Sequence, residues 1–142
     1  MNPIKQFLFS LNITYFYTLH RKQLNKFLFN FNTAYVYTFV AGIFVTIAIN
    51  LLTAGLLTQN PRVCVYRVYG AAFSLFISSI SAFVVSVLLE TARSEWQSAG
   101  RPKDEDVKRE DYIETGVRIK LLWLFFVIIL VGSTLSIFLL LV

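Results

Sequence analysis

Three long stretches of this 142-residue sequence contain no charged side chain, and they limit its fold more than any other feature. They cover Phe27–Pro61, Val68–Leu89 and Leu121–Val142, each of at least 22 residues. A helix of about 20 residues is long enough to cross the hydrocarbon core of a bilayer. The stretches lack the alternating pattern that a membrane-spanning strand requires. The sequence therefore predicts an all-α integral membrane protein with three transmembrane helices.

The residues that flank these stretches set the bounds of the predicted spans. Pro61 cannot continue a helix and disfavours helix at the residue before it, so the first span is expected to end just ahead of it. The predicted spans cover about residues 35–58, 64–89 and 119–142. Residues 34–142 then form the transmembrane domain, with a charged connection at 90–118, and residues 1–33 form an N-terminal segment.

Two similar 12-residue segments occupy the N-terminal part of the chain. FLFSLNITYFYT begins at Phe7, and FLFNFNTAYVYT begins at Phe27 and leads into the first span. The first copy cannot cross a membrane, because Ile4–Leu19 has only 16 residues and includes Lys5. Its aromatic and basic content predicts an N-terminal amphipathic helix in the cytoplasmic interface of the membrane. The alternatives are a partner-bound or disordered tail and a re-entrant or fourth span.

The distribution of basic residues predicts the orientation. Eleven of the 13 Lys and Arg residues lie before the first span, between the second and third spans or at the start of the third. Such residues favour the cytoplasmic side, so the N-terminus is expected in the cytoplasm and the C-terminus outside. In a chain this apolar, the net charge of +5 indicates anionic lipid headgroups as partners and not nucleic acid. The candidate lipid or pore contacts are Arg21, Lys22, Lys26 and Arg67.

Small side chains recur every four positions in the first two spans, and they are the predicted helix-packing residues. Small residues let membrane helices approach closely. Four residues advance about 400° around a helix, so a long stripe of this kind drifts by about 40° per step and cannot face one straight neighbour. Because one chain has few helices to offer, the stripes predict a homo-oligomer or contact with other membrane subunits. The stripe residues are Thr38, Gly42, Thr46 and Asn50 in the first span, and Gly70, Ser74, Ser78, Ala82 and Ser86 in the second.

Catalytic and metal-binding signatures are absent from the sequence. The single cysteine, Cys64, excludes an internal disulfide and a thiolate cluster, and the single histidine, His20, excludes a His pair. No Gly-rich phosphate loop and no nucleophile with a base can be assembled. We therefore expect no enzyme activity, no cofactor and no metal site.

The predicted function is that of a non-enzymatic oligomerising or assembly subunit of a membrane complex. Trp96 in the charged connection is the candidate partner contact, since an exposed Trp is unusual. The alternative is a small oligomeric pore, such as a holin-like or effector-type channel, because the first two spans carry weakly polar faces. A transporter is less well supported, since such proteins usually have ionisable residues near the midplane of the bilayer.

Overall fold

The computed structural model describes residues 18–57, 64–100 and 109–142, and every regular element within these ranges is a helix. The helices are α1 (described over residues 18–28), α2 (Thr33–Leu57), α3 (Val65–Ser98), α4 (Arg109–Ile113) and α5 (Gly116–Leu141). The predicted all-α architecture is confirmed, with three helices long and apolar enough to cross a membrane: α2, α3 and α5. The predicted interfacial helix at residues 4–19 lies outside the described residues, except for its last two positions.

The longest helix, α3, lies between α2 and α5 and makes most of the interhelical contacts. Within their most apolar windows, 56% of the residues of α3 are buried, against 17% in α2 and 11% in α5. The central position of α3 explains this difference, because α3 has a neighbour on two sides. Most of the surface of α2 and α5 is apolar and exposed, as expected for helices that face lipid.

Gly100 marks the end of α3, well beyond the apolar part of the helix. Its φ of 80° lies in the left-handed region that glycine adopts without steric cost. The backbone N–H of Gly100 donates to the carbonyl O of Gln97 at 3.1 Å, and that of Ala99 donates to Glu95 at 3.0 Å. The last turns of α3 therefore extend past the charged residue Glu90 and provide a surface on which the second connection can fold.

A reciprocal capping pair forms the turn between α1 and α2. Asn30 Oδ1 accepts the backbone N–H groups of Asn32 at 2.9 Å and Thr33 at 3.0 Å. Thr33 Oγ1 in turn accepts the backbone N–H of Asn30 at 3.0 Å. The side chains at both ends of the α1–α2 turn thus accept hydrogen bonds from backbone N–H groups that a helix leaves without a carbonyl partner. The pair stabilises the turn that leads from α1 into α2.

Aromatic side chains close the end of the bundle where α1 meets α2, α3 and α5. Phe29 is 2% exposed, and its ring lies edge-on to Trp123 at 5.5 Å and to Phe126 at 5.9 Å. Phe31 packs against Trp96 at 5.8 Å between ring centroids. Each such pair adds about 0.5–1.5 kcal/mol beyond the burial of apolar area. We call this group the aromatic end cluster; it holds α1 and the last turns of α3 against the start of α5.

Candidate functional site

The contact between α2 and α3 is made by serine hydroxyls of α3 and backbone of α2. Ser79 Oγ donates to the carbonyl O of Ala41 at 2.8 Å, and Ser86 Oγ donates to that of Ala34 at 2.9 Å. The hydroxyls of Ser86 and Thr38 also lie 2.7 Å apart. Interhelical hydrogen bonds of this kind are worth about 0.6 kcal/mol on average in a membrane. Their direct bonds to carbonyl groups show that the two backbones lie close together.

The contact between α3 and α5 is centred on Gly132 and Ser78. A Cβ atom at Gly132 would clash with Ser78 Oγ and would lie 3.0 Å from the carbonyl O of Ser74. Ser78 is fully buried, and its hydroxyl donates to the carbonyl O of Ser74 at 3.0 Å. Near the far end of the same contact, a Cβ at Gly70 would lie 3.2 Å from Leu139 Cδ1. Close approach at Gly132 is therefore the feature that lets α5 pack on α3.

The predicted stripe of α3 is used along its whole length, and it faces two neighbours in turn. Gly70, Ser74 and Ser78 lie against α5, whereas Ser86 lies against α2. Ala82 is fully buried between these two regions. A drift of about 40° per four residues rotates the stripe from one side of α3 to the other. Because α3 has helices on both sides, every part of the drifting stripe meets a neighbour in the same chain.

The predicted stripe of α2 has a different environment. The residues that α2 buries are Ala34, Tyr37, Ala41, Ala48 and Gly55. Apart from Tyr37, these residues recur every seven positions and drift by only about 20° per step, so they stay on α3. The predicted stripe begins on the same side, where Thr38 reaches Ser86, but has rotated by about 160° from Ala34 when it reaches Asn50. Most of the stripe therefore points away from α3.

The outer face of α2 carries the remainder of that stripe, and we call it the outer stripe: Gly42, Thr46 and Asn50. All three residues are exposed, and apart from the adjoining backbone of α2 no atom of the described residues lies within 4 Å of a Cβ placed on Gly42. The Thr46 hydroxyl donates to the carbonyl O of Gly42 at 2.8 Å within the helix. A shallow groove of about 530 Å³ follows this face. In the described part of the chain, the side-chain amide of Asn50 makes no hydrogen bond.

The charged end of the bundle is held together by Arg118 at the start of α5. Arg118 Nη2 forms an ion pair with Glu95 Oε1 of α3 at 2.7 Å. Its Nη1 donates to the carbonyl O of Tyr112 in α4 and, at 3.4 Å, to the hydroxyl of Thr115. One guanidinium thus links three elements. The connection before α5 is folded against α3, at least from α4 onward.

The structure places Trp96, the candidate partner contact, within this end of the bundle. Its ring is half-buried and packs on Phe31 of the α1–α2 turn. Much of the side chain is therefore used inside the chain. Arg93, three residues earlier, lies 5.9 Å over the ring of Tyr35 and donates to its hydroxyl at 2.9 Å. These contacts tie the last turns of α3 to the start of α2.

The four candidate lipid or pore contacts divide between the two ends of the bundle. Arg21, Lys22 and Lys26 lie on α1 with exposed positions, and Arg67 is exposed near the start of α3, at the opposite end. Arg21 lines two neighbouring grooves, and Lys22 lines the smaller of them. No group of three or more His, Cys, Asp or Glu side chains that could hold a metal occurs in residues 18–57, 64–100 and 109–142.

Two contacts of the site were not expected from the sequence. Asn25 is 7% exposed, and its Oδ1 accepts a hydrogen bond of 2.9 Å from Trp123 Nε1. Gly132 is a point of close approach between α3 and α5. A glycine within an otherwise bulky apolar span is the signal that marks Gly132. No comparable signal marks Asn25, because a polar residue beside Arg and Lys is usually solvated.

Length, composition and packing define the chain as a multi-pass protein with three apolar helices that suit a membrane. Comparisons with protein-family models, with curated proteins and with solved structures give no match.

Proposed function

We propose that the chain is a non-enzymatic, oligomerising subunit of a membrane assembly and that it associates through the outer stripe of α2. The observation that carries the proposal is the exposure of Gly42, Thr46 and Asn50 on the outer face of a long helix that is mostly apolar. An amide without a partner is costly in hydrocarbon, where no water can bind it. A second helix on this face would supply the missing hydrogen bonds.

A second copy of the same chain is the partner that fits this face best. The amide of Asn50 has both donors and an acceptor, so two copies related by a two-fold axis can bind each other through the same residue. No side chain of the described residues lies within 4 Å of the Cβ position of Gly42, so a second helix can approach there without displacing one. Polar contacts between membrane helices contribute about 0.6–2 kcal/mol each, so packing around Gly42 supplies the rest of the association energy.

The orientation and the N-terminal segment belong to the same proposal. The charged end, with α1 and the last turns of α3, lies in the cytoplasm, because the basic residues are concentrated there. The C-terminus is then outside. Residues 4–19 lie as an amphipathic helix on the cytoplasmic interface and lead into α1. In this arrangement the folded charged end, including Trp96 and α4, is available to a cytoplasmic partner.

An oligomeric pore is the second candidate, and the exposed polar atoms of α2 support it. In a ring of chains, Thr46 and Asn50 could line a lumen, since both are exposed. The serines of α3 offer little support. Ser74, Ser78 and Ser81 are buried, and each hydroxyl donates to a carbonyl of its own helix. A pore would therefore be lined by α2 and not by these serines.

Mass measurement of the purified chain in lipid nanodiscs tests the proposal. We expect a dimer or higher oligomer for the natural sequence, with Gly42→Ala still associated and Gly42→Leu reduced to monomer. Asn50→Leu is expected to weaken association, and Asn50→Gln, which keeps the amide, to weaken it less. Thr134→Leu on the exposed side of α5 is the control, because its hydroxyl binds the carbonyl O of Leu130 within its own helix. A monomer in both nanodiscs and detergent would contradict the proposal.

Release of a trapped dye from vesicles separates the two candidates. An assembly subunit leaves vesicles sealed, whether or not it forms oligomers. A pore releases the dye, and its rate of release changes when Thr46 or Asn50 is replaced by a larger polar residue. Dye release that is lost in Asn50→Leu would favour the pore over the assembly subunit.

A further inference from the structure

A wide groove lies between α1 and the start of α5, and we call it the large groove. It has a volume of about 630 Å³ and is open on one side. Its basic rim includes Arg21, and its apolar wall is made by Leu24, Phe27 and Trp123. Phe27 and Leu24 are exposed large apolar side chains, at 76% and 45% exposure. One side of the groove therefore suits an anion, and the other suits hydrocarbon.

The position of the groove along α5 agrees with the level of lipid headgroups. The last 20 residues of α5, Leu122–Leu141, are enough to cross a hydrocarbon core of about 30 Å. Trp123 then lies at the boundary between hydrocarbon and headgroups, where Trp side chains concentrate in membrane proteins. Arg118 and Lys120 fall just outside this boundary. A molecule in the groove would have its polar part among cations and its apolar part beside Phe27.

Arg21 is the basic side chain best placed to bind such a molecule. It lines the large groove and also a smaller one of about 230 Å³, which contains Lys22, Asn25 and Glu114. Among the residues that the structure describes, Arg21 forms no ion pair or hydrogen bond. A guanidinium can bind two oxygens of one phosphate at once. Among the described residues that line the two grooves, Glu114 is the only carboxylate, and it disfavours an anion in the smaller groove.

We propose that the large groove is a binding site for one anionic glycerophospholipid, with its phosphate on Arg21 and an acyl chain along Leu24, Phe27 and Trp123. Free inorganic phosphate satisfies only the basic rim, and a lipid without a phosphate satisfies only the apolar wall. A lipid with a negative headgroup satisfies both. Phosphatidylcholine carries a phosphate too, but its choline cation is repelled by the basic side chains at this end of α5. The site is separate from the outer stripe of α2, so it does not depend on the proposed association of chains.

Quenching of Trp123 fluorescence by brominated lipids tests the proposal. Trp96→Phe makes Trp123 the single tryptophan of the 142-residue chain, since the sequence has two. The protein is reconstituted in vesicles of phosphatidylcholine with increasing fractions of phosphatidylglycerol, and the bromine is carried by one lipid or the other. We expect preferential quenching by the brominated phosphatidylglycerol. Equal quenching by both lipids would overturn the proposal.

Charge variants with matched controls separate this site from diffuse attraction to the membrane surface. We expect Arg21→Gln to reduce the preference for phosphatidylglycerol about fivefold, which corresponds to about 1 kcal/mol, and Arg21→Lys to retain most of it. Lys26→Gln removes one charge from the same helix outside the groove, and Arg67→Gln removes one at the opposite end. Both are expected to keep the preference. An equal loss in Lys26→Gln would show diffuse attraction and overturn the site.

A soluble competitor and a change in the wall complete the test. Inorganic phosphate is expected to leave the quenching unchanged, because it has no apolar part to displace the acyl chain. Leu24→Gln is expected to reduce quenching by brominated phosphatidylglycerol while Arg21 is intact. Displacement by phosphate at low concentration, or full quenching in Leu24→Gln, would show that no acyl chain occupies the groove. The emission maximum without brominated lipid checks that each variant is folded.

Discussion

Trp123 Nε1 donates a hydrogen bond of 2.9 Å to Asn25 Oδ1, across 98 positions of the sequence. The bond connects α1, which precedes the first spanning helix, to the first turns of the last one. Asn25 is 7% exposed, so water has little access to this amide. Together with the edge-on contact of Trp123 to Phe29, it docks α1 on the bundle. The groove at Trp123 exists only while α1 stays docked.

Replacing Asn25 is therefore expected to release α1. In Asn25→Ala the indole N–H loses its acceptor, and the loss of a buried hydrogen bond costs about 1–3 kcal/mol. We expect a red shift of Trp123 emission in the Trp96→Phe background, and faster proteolysis within α1. Asn32→Ala is the matched control, since Asn32 is exposed and its side chain makes no hydrogen bond in the described part of the chain. The same shift in both variants would contradict a specific role for Asn25.

Gly132 and Ser78 are expected to be coupled in the stability of the α3–α5 contact. Gly132→Ala places a methyl group against Ser78 Oγ, and overpacking of this kind costs about 1–3 kcal/mol. Ser78→Ala removes a hydroxyl that donates to Ser74 of its own helix and, at 3.5 Å, to the carbonyl O of Ile129 in α5, and is expected to cost less than about 1 kcal/mol. The double variant regains part of the loss, because the clashing oxygen is gone. The recovery is still limited by the carbonyl O of Ser74, which lies 3.0 Å from the Cβ position of Gly132.

Unfolding of the four proteins in a denaturing detergent measures this coupling as a double-mutant cycle. Gly42→Ala is the control for the added methyl group, because nothing lies within 4 Å of the Cβ position there. It is expected to leave the stability of the single chain unchanged or to raise it by up to about 1 kcal/mol, because Ala favours a helix over Gly. Additive effects of Gly132→Ala and Ser78→Ala would show that the two residues do not meet.

The three apolar helices could be predicted from the sequence because the absence of charge over 22 or more residues is itself the physical requirement for crossing a bilayer. The small-residue stripes were harder to interpret. Residues at intervals of four drift around a helix, and the direction of the drift shows nothing about how many neighbours the helix has. The stripe of α3 meets two helices of its own chain, whereas the stripe of α2 leaves α3 after Thr38. The difference comes from the central position of α3, which is a property of the whole fold.

The capping pair at the α1–α2 turn shows what a local comparison within the sequence can reveal. The two 12-residue segments have Asn30 and Thr33 in the second copy where the first copy has Ser10 and Ile13. Thr33 Oγ1 accepts a hydrogen bond from the backbone N–H of Asn30, and Ile13 has no hydroxyl that could do the same. This difference between otherwise similar segments could have been noticed from the sequence. The contacts of Asn25 and Trp96 could not, since both depend on side chains that are far away along the chain.

The ion pair between Arg118 and Glu95 is expected to control the local stability of α4. Glu95→Gln removes a half-exposed partner, and such pairs are worth about 0.2–1 kcal/mol. Arg118→Gln is expected to have the larger effect, because Nη1 of Arg118 also binds the carbonyl O of Tyr112. Hydrogen exchange of the α4 amides, measured by mass spectrometry on the reconstituted protein, reports the change directly.

Glu90→Gln provides the control for that measurement. Glu90 also lies on α3, but its partner at 3.7 Å is Arg93 on the same helix. Its replacement is expected to leave exchange in α4 unchanged. Raising the ionic strength should mimic part of the effect of Glu95→Gln, since salt screens exposed charges. If the exchange rates in α4 are unchanged in both Glu95→Gln and Arg118→Gln, the connection is held by other contacts.

Labelling of cysteines at the two ends of α3 tests whether this helix crosses the membrane and in which direction. Cys64 is the only cysteine of the chain and is exposed just before α3. Ala99→Cys in a Cys64→Ser background places a thiol just after α3, at the charged end. With the N-terminus in the cytoplasm, a membrane-impermeant maleimide added to intact cells is expected to label Cys64. It should label Ala99→Cys only after permeabilisation. The opposite pattern would contradict the orientation but would still show that α3 crosses the membrane. Labelling of both thiols in intact cells would show that α3 does not cross it.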